Sequence, residues 1–226
     1  MKIAPVKTPW LAKRIFPNYV WSVATDQKEL YLTFDDGPTP KVTDFVLEQL
    51  AEYHAKATFF CIGNNVEKHP DLFKKTIAAG HSIGNHTQEH FKGWKTSTQA
   101  YLKGVEKAEQ AFMQAQMTTT SSSDSKLFRP PYGQIKRSQG KQLIALNYKI
   151  IMWDVLSFDW DHSVSEDQCL KNVIQNSVAG SIVVFHDSVK ASRNMQYALP
   201  KVLDYFSNEG FVFKGLPPTM PSIIKS

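Results

Sequence analysis

The sequence predicts a single α/β domain folded as a deformed (β/α)7-type barrel. Short runs of β-branched and aromatic residues alternate with helical patterns, which is typical of parallel strands joined by helical crossovers. About seven strand–helix units follow residue 29, one fewer than the eight of a regular closed barrel. The 226 residues, 42% of them hydrophobic, are enough for one well-buried core.

Each element follows from its local pattern. Val42, Val46 and Leu50 recur at helical spacing, so residues 42–54 predict a helix, and Gly80 marks the end of a later one. In chain order, the first half predicts strands over residues 20–23, 29–34, 57–62 and 81–84, and helices over residues 42–54, 70–79 and 96–117.

The second half continues the alternation. The polar run TTTSSSDS over residues 118–125 predicts a mobile surface loop. In chain order, strands are predicted over residues 127–129, 150–155, 181–185 and 211–213, and helices over residues 134–146, 165–178 and 200–208. We expect an N-terminal segment over residues 1–28 that packs on the barrel, the barrel itself over residues 29–216, and a tail over residues 217–226.

Composition and charge exclude several classes of protein. The 26 Lys and Arg residues exceed the 21 Asp and Glu residues only slightly, and they are scattered, so no nucleic-acid partner is expected. No apolar run reaches the roughly 18 residues that a membrane-spanning helix needs. Residues 1–16 contain no continuous apolar stretch of the secretory type, so a cytoplasmic monomer is the default expectation, with the compartment left open.

The cysteines and several histidines predict structural roles. Two cysteines, Cys61 and Cys169, do not make a disulfide framework, and two free, partly buried thiols are expected, with one bridge as the alternative. Four histidines lack a convincing partner and are expected to be structural or exposed: His54, His69, His81 and His162.

The polar residues with chemical potential follow predicted strands. Active sites of barrel enzymes gather at the carboxyl ends of the strands, so these segments should converge on one mouth. They are Asp35 and Asp36, His86 and His90, Arg129 to Tyr132, Asp159 and Trp160, and His186.

Asp35 and Asp36 end a hydrophobic run that Gly37 stops, so both carboxylates can serve one pocket. His86 and His90 lie four residues apart, one helical turn, and with one aspartate they offer a three-ligand metal site with an open position. Such ligands suit Zn²⁺, and also Co²⁺ or Ni²⁺, better than Ca²⁺ or Mg²⁺. The second aspartate is then free to act as a base; the alternatives are a surface histidine pair and an ordinary turn.

Three further residues have a chemical and a structural interpretation. Arg129 could orient a carboxylate through a bidentate contact, or pair with a surface acid. His186, at the end of an apolar strand, could protonate a leaving group, or be a satisfied core histidine. Trp160 could wall a small acyl pocket, or belong to the core. The double proline after Arg129 could aim a main-chain N–H at a substrate oxygen.

Five sequence motifs together resemble those of the polysaccharide deacetylases, carbohydrate esterase family 4, also called the NodB-homology domain. Their order and spacing match over residues 29–216, and the segments ATFFCIG (57–63) and GHSIGN (80–85) between them are also similar. The motifs are TFDDGP (33–38), HTQEH (86–90), RPPYG (129–133), WDVLSFDW (153–160) and IVVFHD (182–187).

The resemblance implies a deformed barrel and metal-dependent removal of acetyl groups from N- or O-acetylated sugars, with peptidoglycan and chitin-like chains ahead of acetylated xylan. It implies these roles: Asp35 as base, Asp36, His86 and His90 as ligands of one divalent cation, Arg129 as the residue that orients the base, Tyr132 as the oxyanion-binding N–H, Trp160 as acetyl-pocket wall, and His186 as acid.

The chain departs from the family pattern at Leu156, where many members have an aspartate that tunes the acid histidine. Either Asp154, two residues earlier on the same strand face, replaces it, or His186 works without a charged partner. Two other functions remain open: a non-catalytic carbohydrate-binding relative, and a metal hydrolase of a non-carbohydrate amide or a phosphoester. Retention of the acids and histidines favours the deacetylase.

Overall fold

The fold is a parallel sheet that curls into the predicted deformed barrel. The computed structural model describes residues 5–116 and 126–217. The strands in the described residues are β1 (Glu29–Asp35), β2 (Thr58–Cys61), β3 (Ser82–Asn85), β4 (Lys126–Phe128), β5 (Tyr148–Ile150), β6 (Val155–Leu156), β7 (Ile182–His186) and β8 (Val212–Phe213). Their order in the sheet is β5-β4-β3-β2-β1-β7-β6, with β8 beside β1, and every pair of neighbouring strands is parallel.

Helices surround the sheet and connect its strands. In the described ranges they are α1 (Trp10–Ile15), α2 (Val42–Glu52), α3 (Gly63–Lys68), α4 (Pro70–Ala78), α5 (Thr98–Gln116), α6 (Arg137–Ala145), α7 (Glu166–Ile174) and α8 (Ser192–Asn208), with 3-10 turns at Gly93–Lys95 and Pro131–Gly133. Among these helices, none has the length and apolarity that crossing a bilayer requires.

The core explains why the central strands read as continuous apolar runs. β1 is buried along nearly its whole length, because helices cover it on one side and the barrel interior lies on the other. Phe34 stacks on Phe59 of β2 and Phe185 of β7, with ring centroids 5.1 and 6.0 Å apart. In the β1–β7 register Asp35 lies opposite His186, so the sheet itself brings an acid and a histidine together.

The barrel closes through one continuous piece of chain. β5 pairs with β4 and β6 pairs with β7, so the segment over residues 148–156 crosses from one side of the barrel to the other. Val20 fills the break, donating from its N–H to Ile150 O at 2.8 Å and accepting from Met152 N–H at 2.7 Å. The strand predicted over residues 150–155 is therefore wrong in its bounds, and residues 20–23 form isolated bridges rather than a strand.

The N-terminal segment is bonded to the break between β5 and β6, residues 151–154, which we call the seam. Lys7 Nζ and Lys13 Nζ lie 2.6 and 2.7 Å from the two carboxylate oxygens of buried Asp154. Thr8 donates from its N–H to Asp154 O at 2.8 Å, and Lys7 bridges to Val155. We call residues 5–16 the N-terminal strap.

The predicted start of the last helix, at residue 200, is wrong. α8 begins at Ser192, because the apolar face of Met195 and Leu199 packs on the core and outweighs the bond lost at Pro200. The short helices α1 and α3 lack a clear helical period and were not predicted. The TTTSSSDS loop and residues 218–226 of the predicted tail lie outside the described residues.

Cys61 and Cys169 are free and buried, which confirms the expected thiols over the bridge. His81 is buried and its Nδ1 accepts the Ala57 N–H at 3.2 Å, so this histidine is structural, as expected.

Candidate active site

One acid and two histidines lie close enough to share a cation. Asp36 Oδ1 is 3.2 Å from His90 Nε2 and 3.7 Å from His86 Nε2. The ligand atoms of the three residues all lie within 4.8 Å of one another. Asp36 Oδ1 is also buried and has no hydrogen-bond partner among the described residues, whereas a buried polar atom of this kind normally has one. The cluster therefore fits a metal ion.

The two histidines converge through a loop. Residues 86–90 follow β3 without helical structure, so the prediction of one helical turn is wrong. Thr87 and His90 have φ of 65° and 57°, and these left-handed residues turn the chain so that the two imidazoles come within 5.0 Å between centroids. Thr87 N–H donates to Asn85 Oδ1 at 2.9 Å, which fixes the first turn.

Both imidazoles are set up as neutral ligands. His86 Nδ1 lies 2.8 Å from Arg129 O, so this nitrogen carries the proton and Nε2 presents its lone pair toward Asp36. Burial lowers the pKa of His86 despite the nearby aspartates. Burial, with the neighbouring His86, lowers the pKa of His90 to about 4. Neutral imidazole is the form that binds metal.

Helix α3 is hydrogen-bonded to the chain segments that carry the three candidate metal ligands. Asn65 Nδ2 donates to Asp36 O at 2.7 Å, which holds the backbone of the acidic ligand. In the histidine loop, Gln88 Nε2 donates to Asn64 Oδ1 at 2.8 Å and Glu67 Oε1 at 2.9 Å. α3 is thus bonded to both segments that supply the ligands, a role that its sequence did not indicate.

Arg129 holds Asp35. Its guanidinium is fully buried and donates from Nη1 to Asp35 Oδ1 at 2.7 Å and to Thr33 Oγ1 at 2.6 Å, and from Nη2 to Met152 O at 2.9 Å. The contact with Asp35 is therefore a single bond, and the expected bidentate contact is wrong. Burial alone would raise the pKa of Asp35, but the charge and hydrogen bond of Arg129, together with the nearby imidazoles of His86 and His186, outweigh burial, so the pKa is lowered.

His186 has a charged partner that sequence reasoning missed. Its Nδ1–H donates to Asp159 Oδ1 at 2.9 Å, and its backbone N–H donates to Asp159 Oδ2 at 2.7 Å. Burial opposes the charged imidazole, but the charge and hydrogen bond of Asp159, together with the charges of Asp36 and Asp35, outweigh burial and raise the pKa of His186 to about 9. His186 is therefore protonated at neutral pH.

Both alternatives offered for the Leu156 departure are wrong. Asp154 does not reach His186, because its oxygens accept from Lys7, Lys13 and Ser181 on the strap side of the seam. The imidazole does have a carboxylate, Asp159, supplied three residues beyond Leu156.

The sequence showed Asp159 as a polar residue after a strand, but it did not show that the Asp159 side chain faces His186. Residues 157–161 lie outside any strand, so the two-residue alternation used to choose Asp154 does not apply. Phe158 adopts φ 62°, which turns the chain so that Asp159 faces His186. A left-handed phenylalanine is uncommon and no residue pattern predicts it.

Asp187 is a second residue whose role was missed. It is fully buried beneath the aspartates, and it accepts from Gly37 N–H at 3.0 Å and Thr43 Oγ1–H at 2.6 Å. Burial, with Asp36 nearby, raises its pKa to about 7. A Cβ at Gly37 would lie 1.9 Å from Asp187 Oδ2. The turn after Asp36 can therefore pack against this carboxyl group only because residue 37 is glycine.

A cavity of about 570 Å³ lies over the site, and the residues that line it include Asp35, Asp36, His86, His90, His186, Tyr132 and Trp160. Tyr132, at φ 58°, packs its ring against His90 with centroids 4.5 Å apart. Trp160 packs edge-on against His186 at 4.7 Å and stacks on Phe158 at 5.0 Å. Leu156 adds an apolar wall. The arrangement therefore joins a metal-type cluster, an ionised acid, a protonated histidine and an apolar recess in one space.

Comparison with known proteins identifies the family. The polysaccharide deacetylase profile matches residues 22–151. A peptidoglycan-N-acetylglucosamine deacetylase of Bacillus cereus is 34% identical over 200 residues, which span 88% of this chain and 70% of that protein. A second B. cereus protein of that name is 32% identical, over 90% of this chain and 94% of its own length. The chain therefore belongs to the polysaccharide deacetylase family.

Solved structures agree with this assignment. The Bc1960 peptidoglycan N-acetylglucosamine deacetylase, solved with a benzamide ligand, superposes with a TM-score of 0.83 at 32% identity, covering 94% of this chain and 97% of that one. A family pseudoenzyme from Bacillus anthracis shares the fold, with a TM-score of 0.76 at 22% identity over 87% of this chain and 66% of that one. The fold alone therefore does not define activity, and the site residues must carry that argument.

Proposed function

We propose that this chain is a metal-dependent deacetylase that hydrolyses acetyl groups from the amino sugars of a polysaccharide, with peptidoglycan as the first candidate substrate. The observation that carries the proposal is the buried Asp36 Oδ1, which has no hydrogen-bond partner in the described part of the chain and faces two neutral imidazoles. An ionised Asp35 and a protonated His186 line the same cavity. The names of the B. cereus relatives support the substrate class.

Asp36, His86 and His90 would hold the metal, and their donor set favours Zn²⁺, with Co²⁺ and Ni²⁺ as alternatives. When bound, the cation would supply Lewis acidity, making water acidic enough for a carboxylate to deprotonate and polarising the acetyl carbonyl. The proton on His86 Nδ1, held by Arg129 O, keeps Nε2 available for this purpose.

The protein's own groups perform the proton transfers. Asp35 accepts the proton of the attacking water, because its bond to Arg129 keeps it ionised and oriented. His186 donates a proton to the departing nitrogen, because Asp159 keeps it charged and fixes its ring. The Tyr132 backbone N–H would stabilise the oxyanion, and Trp160 and Leu156 would enclose the acetyl methyl group.

The test is acetate release from N-acetylglucosamine oligomers and from peptidoglycan. Dipicolinate should abolish release and added Zn²⁺ should restore it, and Asp35→Asn should lower kcat by at least about a hundred-fold. Asp71→Asn, which changes a fully exposed aspartate, is the matched control and should leave kcat unchanged.

Three outcomes would contradict the proposal. Release that survives chelation would exclude the metal mechanism. Oligomer binding without release would favour a non-catalytic carbohydrate-binding relative. Release from O-acetylated xylan or a non-carbohydrate amide, but not from amino sugars, would assign a different substrate.

A further inference from the structure

We infer that Trp94 is the platform of a second sugar-binding subsite, which holds a neighbouring pyranose of the glycan chain whose acetylated sugar occupies the cavity. The inference rests on the proposed function and extends it from a single sugar to a polymer. Trp94 lies in the 3-10 turn Gly93–Lys95, and its side chain is 63% exposed.

The indole is fixed beside the cavity. Its Nε1–H donates to Ile135 O at 3.3 Å, and the preceding residue, Gln134, lines the cavity. Gly93 lies so close to this segment that a Cβ there would be 2.1 Å from Gln134 O. Trp94 is therefore bonded to the segment that follows Tyr132, one residue beyond the cavity-lining Gln134, although its own side chain is not part of the cavity lining.

A buried polar side chain keeps the turn in place. Gln139 is fully buried, and its Nε2 donates to Gly93 O at 2.9 Å and to Thr96 O at 3.2 Å. Lys136 Nζ adds a bond to Thr96 O at 2.7 Å. Burying an amide is costly unless its bonds are made, so this anchoring holds the turn rigidly. The most exposed large apolar group that it presents is the Trp94 ring.

Two exposed aromatic rings, Tyr132 and Trp94, lie in and next to this part of the cavity lining, and Trp94 has the more open face. Tyr132 has His90 against its ring at 4.5 Å and Lys92 Nζ 5.1 Å from its centroid. Within the described ranges, neither a ring nor a cation is found stacked on Trp94. An exposed, preoriented aromatic face suits the C–H face of a pyranose, while the sugar hydroxyls remain in water.

Exposure alone does not distinguish Trp94, and this provides a matched control. Trp10 in α1 is 68% exposed, but it lies in the N-terminal strap, where Arg14 packs over its ring. What Trp94 has in addition is the bond to Ile135, the anchoring of its turn by Gln139 and its place next to the cavity-lining Gln134.

The test compares kcat/KM on N-acetylglucosamine oligomers of two to six sugars. Trp94→Ala should lower kcat/KM on the tetramer and longer chains about ten-fold, mainly through KM, with a smaller loss on the dimer. Trp94→Phe should retain most of the activity, and Trp10→Ala should match the wild type at every length. An equal loss at all lengths, or no loss on long chains, would overturn the inference.

A binding measurement separates this inference from the proposed function. Titration calorimetry of the hexamer into the Asp35→Asn protein needs no turnover, and adding Trp94→Ala should weaken binding about ten-fold. If the Asp35→Asn protein shows Trp94-dependent binding but the wild type releases no acetate, the deacetylase is refuted and the subsite is kept. Acetate release without Trp94-dependent binding would refute the subsite alone, and absence of both would refute both.

Discussion

At the scale of single residues, the bond between Asp159 and His186 governs the predicted pH dependence. Because Asp159 raises the pKa of His186 to about 9, the general acid should stay protonated through neutral pH and lose its proton in the alkaline range. A cation beside Asp36 would lower this pKa, so the alkaline limb of kcat should lie at or below about pH 9.

Asp159→Asn removes the charge that holds this proton. We expect the alkaline limb to move to lower pH and kcat at pH 7 to fall roughly ten- to hundred-fold, as measured by initial rates of acetate release. Asp71→Asn, at a fully exposed aspartate, is the control and should leave the alkaline limb where it is in the wild type. An unchanged alkaline limb in Asp159→Asn would contradict His186 as the acid.

The same bond should contribute to stability with a definite sign. The pKa of folded His186, about 9, lies above the ordinary value of 6.5. Its contribution is therefore complete below about pH 6.5 and disappears as the pH rises through about 9. Urea unfolding at pH 6 and pH 10 should show a larger difference for the wild type than for Asp159→Asn.

Arg129 is the second residue that makes a sharp prediction. Arg129→Met would leave Asp35 buried without its cation, and loss of one partner from a buried pair costs about 3–5 kcal/mol in the free energy of unfolding. Adding Asp35→Asn to Arg129→Met should recover part of that loss in urea unfolding. Lys75→Met, which breaks the exposed pair with Asp44, should change stability little.

At the scale of elements, the turn after β1 decides where Asp36 points. Gly37→Ala would place a methyl group in contact with the Asp187 carboxyl group, so the turn and the metal ligand would have to move. We expect loss of Zn²⁺ affinity of at least ten-fold by calorimetry, and a lower Tm. Gly210→Ala is the control, because Gly210 has φ 78° and no atom of the described residues lies within 4 Å of a Cβ placed there. This substitution should cost only about 1–2 kcal/mol of stability and keep metal affinity.

How far the sequence predicts these elements depends on how local their causes are. The alternation of strands and helices, the grouping of five polar segments at one mouth and the free cysteines follow from patterns in the chain. The histidine loop and the turn at Phe158 depend on left-handed residues, which are stabilised by contacts such as Asn85 to Thr87. The contact that gives Asp159 its role joins it to His186, 27 positions further along the chain, so Asp159 could not be chosen over Asp154 from spacing alone.

At the scale of the whole molecule, the N-terminal strap should contribute to stability through Asp154. Burial would raise the pKa of this carboxyl group, but Lys13, Lys7 and Ser181 outweigh burial and lower it. Its contribution should therefore be present above about pH 4 and be lost as the pH falls further. Asp154→Asn should cost about 1–3 kcal/mol, because the two lysines are partly exposed and water screens them.

The measurement is thermal unfolding together with limited proteolysis. Cleavage after Lys13 or Arg14 should become faster in Asp154→Asn, whereas Asp204→Asn, on the exposed face of α8, should behave as the wild type. Equal cleavage rates in the two variants would mean that the ion pairs do not hold the strap.

The seam between β5 and β6 also bears on the order in which the molecule assembles. Lys7 and Lys13 are separated from Asp154 by 147 and 141 positions along the chain, so during synthesis they can pair with Asp154 only after the intervening residues have been made. Contacts this distant are slow to form. We therefore expect the N-terminal strap to dock late, onto a barrel whose more local contacts have already formed.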